Sequence, residues 1–145
     1  MTTEWVSGLK DVSHDVEFLP PATPAVIAEA ERAIGDLPQD LKELLTLTNG
    51  LICRSFRVFS AFDPQQPKKT WESLQRANDP GKTQALGGDR VLLGRFLVFA
   101  DIGGGAAAWD RTDGSIWFEE TRGDELRQTD LSLRTFLETM CRNAE

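Results

Sequence analysis

The sequence predicts an α+β fold: a central antiparallel sheet of about four to six strands, packed by an N-terminal helical hairpin and a C-terminal helix. Three observations predict it. Apolar residues recur at helical spacing between residues 24 and 48. From Leu51 to Glu120 the pattern changes to short β-favouring runs separated by Gly and Asp turns. Helical spacing then returns at Leu133, Phe136, Leu137 and Met140. Helices grouped before strands, with no βαβ alternation, favour helices laid on an antiparallel sheet over a parallel one.

Each element has a local cause. Trp5, Leu9 and Val12 share one face of a short amphipathic helix over residues 3–13, which "EFLPPATP" ends. Thr23 is an N-cap and Pro24 suits the first helical position of a helix near 24–34, with Val26, Ile27, Ala30 and Ile34 on its apolar face and Gly35 at its end. A second helix starts soon after Pro38; Leu41, Leu44, Leu45 and Thr48 line its inner face, and Asn49-Gly50 stops it. "LICRSFRVFSAF" reads as extended, with Phe56, Val58 and Ser60 on one face, and Asp63 to Pro67 as loop. "KKTWESLQRAND" suits a short helix presenting Trp71 with Leu74 or Gln75. Strands are expected at Val91–Ala100, Ala106–Asp110 and Ser115–Glu120, with Asp113-Gly114 as the turn between the last two. Asp130 or Ser132 caps the closing helix.

The chain of 145 residues fits a single domain, and 40% apolar residues with eight Phe and four Trp supply its core. No apolar run reaches the roughly 18 residues of a membrane span, and the first residues do not resemble a secretory signal. Cys53 and Cys141 lie far apart, outside any CxxC pair, and His14 is the only histidine, so a reduced, cytoplasmic protein without a metal site is expected. The net charge of −7 is uneven: residues 1–53 carry −6, residues 54–95 carry +4 and residues 96–145 carry −5. Direct binding of nucleic acid needs clustered Lys and Arg, so the acidic balance favours a basic protein partner instead, although solubility alone also accounts for it.

Several motifs invite chemistry. "IGGGAAAWDRTDG" contains a literal G-x-G-x-x-A at Gly103, Gly105 and Ala108, but a dinucleotide site needs a helix next, and a hairpin turn follows instead. The glycines are better read as a bend or bulge between strands. Gly81-Lys82-Thr83 matches the tail of a phosphate-binding loop, yet position 76 is Arg where that loop needs glycine. No cofactor is expected from either. Asp101, Asp110, Asp113, Glu119 and Glu120 gather around the strands, though adjacent Glu119 and Glu120 point to opposite faces of a strand. Phe96, Phe99, Trp109, Trp117 and Phe118 are explained by core packing, with Arg111 the one basic residue between them, too little for a base-stacking surface.

"PPATPAVIAEAERAIGDLPQDLKELLTLTNGL" resembles the N-terminal signature of the SUKH superfamily, the Smi/Knr family of fungal cell-wall-synthesis regulators and bacterial relatives. Glu31, Gly35, Leu37, Pro38, Leu41, Leu44, Leu45, Asn49 and Gly50 stand at the matching places. "FLVFADIGGGAAAWDRTDGSIWFEE" resembles its central segment and "SLRTFLETM" its closing helix, where Ser132 and Leu133 replace the usual Ser-Phe. The resemblance spans about residues 20–141; segment 51–90 has no clear counterpart, and the G-D-L-P link is one residue tighter than the common form.

The resemblance implies a non-enzymatic α+β protein with no catalytic residue to carry over. Many bacterial members look like cytoplasmic immunity proteins that neutralise a toxin, often a nuclease. The first expectation is therefore a protein that occludes a cognate toxin with an exposed sheet face. Asp101, Asp110, Glu119, Glu120 and Asp124 are candidate charge donors, and Trp109 and Trp117 candidate anchors. The alternatives are a regulatory scaffold binding a host protein and, less favoured, a small hydrolase using Asp101, Asp110 and Glu119.

Overall fold

A computed structural model describes residues 4–79, 95–121 and 125–143. Gly81-Lys82-Thr83 and the start of the Val91–Ala100 run lie outside the described residues.

Among the described residues, seven strands follow one another as an antiparallel meander, each paired with its neighbour along the chain. They are β1 (Val16–Phe18), β2 (Leu51–Cys53), β3 (Phe56–Val58), β4 (Phe96–Ile102), β5 (Ala106–Asp110), β6 (Ile116–Glu119) and β7 (Arg127–Gln128). The helices among the described residues are α1 (Glu4–Ser7), α2 (Leu9–Val12), α3 (Pro24–Ile34), α4 (Gln39–Leu47), α5 (Leu74–Ala77) and α6 (Leu133–Asn143). The α+β expectation holds, with one strand more than the upper bound. The two edge strands, β1 and β7, were not expected: three and two residues are too few to display an alternation. The run from Leu51 to Phe62 is not one strand either. Arg54 adopts φ 55° and turns the chain, so that Cys53 pairs with Phe56 in a hairpin. The N-terminal helix is likewise two single turns separated at Gly8.

The helical hairpin forms as its caps dictate. Thr23 Oγ1 accepts from the Val26 N–H at 3.2 Å, and Gly35 ends α3 at φ 94°, a conformation that favours glycine. The turn to α4 is closed by Glu31, whose Oε2 accepts from the Leu37 N–H at 3.0 Å and lies 3.6 Å from Lys42 Nζ. Arg111, from the turn after β5, donates to the Ile34 carbonyl at 2.7 Å and places a cation at the C-terminal end of α3. Ser132 caps α6 by accepting from the Thr135 N–H.

Beyond α4, the residues that stop the helix also fasten it. Asn49 is buried; its Nδ2 donates to the Ala61 carbonyl and its Oδ1 accepts from the Ala61 N–H, both at 2.8 Å. Ser60 Oγ donates to the Asn49 carbonyl, and the Leu19 N–H donates to Thr48 Oγ1. One sheet face carries Leu51, Cys53, Phe56 and Val58 into the core. There Phe99 meets Phe136 of α6 edge-on, with centroids 5.9 Å apart, and Cys53 Sγ lies 3.6 Å from the Cys141 carbonyl. Burial, and the Cys53 thiol beside it, push the Cys141 thiol up to about 12, so it stays protonated and unreactive at neutral pH.

The triple glycine is the bend between β4 and β5. Gly103 and Gly104 take φ 86° and 128°, and Asp101 Oδ1 accepts from both N–H groups. Gly105 has a different reason: a Cβ there would lie 1.7 Å from the Glu119 carbonyl oxygen of β6. Gly105→Ala should therefore force β5 and β6 apart and cost about 3 kcal/mol, read as a fall in the urea unfolding midpoint; a midpoint equal to wild type would show that the strands do not approach this closely.

Candidate functional site

Cross-strand register decides which candidate residues share a surface. Asp101 pairs with Ala106, and Ala106 with Glu119, so these three lie in one row on one face. Ala108 pairs with Trp117, and Phe96 with Asp110, on that same face. Trp109 pairs with Leu97 and Ile116 on the opposite face. The two candidate anchors thus sit on opposite sides of the sheet, both half-buried, and Trp117 packs edge-on against Phe96 with centroids 5.6 Å apart. They do not make one aromatic patch.

The charges divide similarly. Asp110 is fully buried and is not the surface charge donor expected of it. Its carboxylate accepts from Arg95 Nη2 at 2.8 Å and from the Thr112 hydroxyl and N–H at 2.7 and 2.9 Å. Burial works to raise its pKa, but Arg95 and Thr112 together hold it below the usual carboxylate value. Glu119 is also fully buried and engaged, so it too is corrected from a surface to an interior residue. Period-2 alternation places a strand residue on a face and does not tell whether that face is open.

Asp101 is exposed, but its carboxylate is committed to the Gly103–Gly104 turn. Glu120 is exposed and 3.9 Å from Arg127 Nη1, a solvent-screened pair. Asp124 lies outside the described residues. As a catalytic set, Asp101, Asp110 and Glu119 do not converge. Asp101 and Glu119 stand two strand spacings apart, roughly 10 Å between backbones, and Asp110 is four residues along β5 from their row, roughly 13 Å away. Among the described residues, no three His, Cys, Asp or Glu side chains are grouped so as to hold a metal ion.

A better-formed surface lies where no candidate was placed. The chain from Phe59 to Asp79 is laced onto the sheet and the hairpin. Phe59 N–H donates to the Phe99 carbonyl, and Leu74 N–H to the Ser60 carbonyl. At the far end, Asn78 donates to the Val98 carbonyl and accepts from the Val98 N–H, both at 2.8 Å, where β4 is bulged between Val98 and Ala100. Within this segment Gln75 Oε1 accepts from the Phe62 N–H, and Thr70 is buried, its hydroxyl accepting from the Asp63 N–H and donating to the Gln66 carbonyl.

Two adjoining cavities result, sharing Phe62 and Gln75 as walls. One, of about 600 Å³, runs along α3 past Thr23, Val26 and Ala33 to Pro64. The other, of about 570 Å³, is bounded by Trp71, Ser73, Arg76 and Asp79. Trp71 is 58% exposed, the one large apolar side chain so placed among the described residues. Arg76 lies over its ring, with Cζ 4.7 Å from the centroid. A Trp preceded by Lys68 and Lys69, in the only positive third of an acidic chain, was the available sequence signal.

An antiparallel meander with a helical hairpin and a closing helix, carrying surface grooves but no converged set of reactive groups among the described residues, defines a structural class of small α+β proteins. The sequence profile of the SMI1 / KNR4 family (SUKH-1) matches residues 21–139, and the chain belongs to that family. Comparison with curated proteins gives no match. The match runs through residues 51–90, the segment for which the sequence suggested no counterpart.

The Asp110 environment makes a pH prediction. Because its pKa is lowered in the folded state, its contribution is complete above the unfolded value of about 3.9 and is lost as pH falls through the lower folded value. Arg95 is half-exposed, so solvent reduces the strength of the pair. Asp110→Asn should cost about 1–2 kcal/mol at pH 7 in urea unfolding, and the gap to wild type should narrow below about pH 4. A gap that is constant with pH would contradict a charge-based role.

Proposed function

We propose that this protein is a non-enzymatic protein-binding module, and specifically a cytoplasmic immunity protein that binds and neutralises a cognate bacterial toxin. Membership of the SMI1 / KNR4 family carries the proposal. Family members act as immunity or regulatory proteins through binding. Steric occlusion of a toxin requires no chemistry from the binder, only a stable surface of suitable shape and charge.

The acidic balance supports a basic partner such as a nuclease, since complementary charge speeds encounter and suppresses wrong partners. Asp101 and Trp117, which share one face of the sheet, and Glu120 just after β6 keep solvent-facing area and remain the proposed contact residues, while Trp109 on the opposite face falls outside that surface; Asp124 belongs with them by sequence. Among the described residues no helix is long and apolar enough to cross a membrane, which fits a partner met in solution. The second reading is a Smi/Knr-type regulatory scaffold for a host protein, which the same family membership supports.

Co-expression separates the two. With the toxin encoded beside it, this chain should restore growth and co-purify, with an affinity around nanomolar that weakens as salt rises from about 50 to 500 mM. Retention of host proteins on the tagged chain with no relief of any neighbouring toxin would favour the scaffold and overturn the immunity reading.

A further inference from the structure

We propose that the cavity along α3 is a protein-docking site for a basic partner segment, one Arg or Lys side chain of which enters between α3 and the chain after Ala61. The inference rests on the reading of this protein as a binding module, not on the toxin, and the site lies apart from the β4–β6 contact residues.

The walls suit the stem of such a side chain. Val26 and Ala33 of α3 line one side and Phe62 and Pro64 the other, around about 600 Å³. That is ample for one long side chain and the backbone that carries it. Arg and Lys lay their methylenes on apolar surface and keep the charged head at its edge, and the methylenes displace water from these walls favourably. The cavity is also preorganised. The Thr23 cap fixes the start of α3, and the Phe62 N–H is held by Gln75 Oε1.

Charge selects the head group. Glu29 and Asp63 line the same cavity, and none of the described residues lining it is basic. Asp63 is held in place: its N–H donates to the buried Thr70 hydroxyl and its Oδ1 accepts from the Gln65 N–H, a neutral donor that leaves the carboxylate's charge uncompensated. Glu29 pairs with Arg32, but the two side chains are 62% and 71% exposed. A surface pair of that kind contributes little, so an incoming cation can share the carboxylate. The adjoining cavity has no such bias, because Arg76 and Asp79 both line it. A neutral side chain would fill the walls along α3 and leave the two carboxylates without a counter-charge. The net charge of −7 further attracts a basic segment, and it opposes an acidic one or a second copy of this chain.

Fluorescence anisotropy on the full chain tests the inference with three labelled ten-residue peptides. They share Leu and Lys flanks and differ at the centre, which is Arg, its uncharged isostere citrulline, or Glu. The Arg peptide should bind at least about fivefold more tightly than the citrulline peptide, and the Glu peptide most weakly. The double change Glu29→Gln with Asp63→Asn should abolish the preference for Arg over citrulline. Ala33→Trp, which fills the cavity, should weaken the Arg peptide at least about tenfold. Asp101→Asn removes a charge elsewhere and should leave the preference intact. Melting temperatures should stay within about 2 °C of wild type, because Glu29 and Ala33 are exposed and Asn keeps the acceptor of Asp63. Equal binding of the Arg and citrulline peptides, an undiminished Arg preference in the double variant, undiminished binding by Ala33→Trp, or no saturable binding up to about 1 mM peptide would overturn the proposal. So would a dimer of this chain that Ala33→Trp dissociates, since the cavity would then hold a second copy. A chain that captures a protein partner yet fails these tests keeps the binding reading and loses only this site, whereas failure to relieve a toxin leaves the peptide results untouched.

Discussion

The buried amide of Asn49 holds the two halves of this protein together. α4 ends at Leu47, and the sheet must start from a fixed point beside that end. Asn49 provides the point by pairing both polar groups of Ala61, twelve residues further on, as a strand neighbour would. Ser60 Oγ adds a bond to the Asn49 carbonyl. Gly50 follows at φ 94°, with room for no Cβ, since one would lie 2.7 Å from the Val58 carbonyl oxygen. The Asn-Gly pair is thus required twice, once for the amide and once for the bare backbone. With the hairpin and residue 61 locked together, α3 forms one wall of the groove and the chain leaving Ala61 forms the other.

The rest of the family signature behaves in the same way. Glu31 spends its carboxylate on the Leu37 N–H at the hairpin turn, and Gly35 adopts a backbone that other residues avoid. These residues close backbone hydrogen bonds that burial would otherwise leave unpaired, at about 1–3 kcal/mol for each orphaned group.

Much of this was legible in the sequence. The boundaries of α3, the Ala106–Asp110 strand and the bend at Gly103 followed from periodicity, caps and turn residues. What failed to show was non-local. Arg54 turns a run that alternates like one strand, because a non-glycine residue at positive φ carries no signal. Whether Asp110 and Glu119 face water depends on what covers their side of the sheet, which spacing within a strand does not encode. Trp71 looked like part of a short helix. It is instead a loop residue before α5, held out by the buried Thr70 and the Ser73 cap on either side.

Equilibrium urea unfolding of Asn49→Ala tests the latch most directly. The substitution leaves the Ala61 N–H and carbonyl buried without partners, so a loss of about 2–4 kcal/mol is predicted, more than the effect of removing a helix-terminal side chain alone. A loss below about 0.5 kcal/mol, the range of ordinary surface changes, would contradict the claim that this one amide joins the hairpin to the sheet.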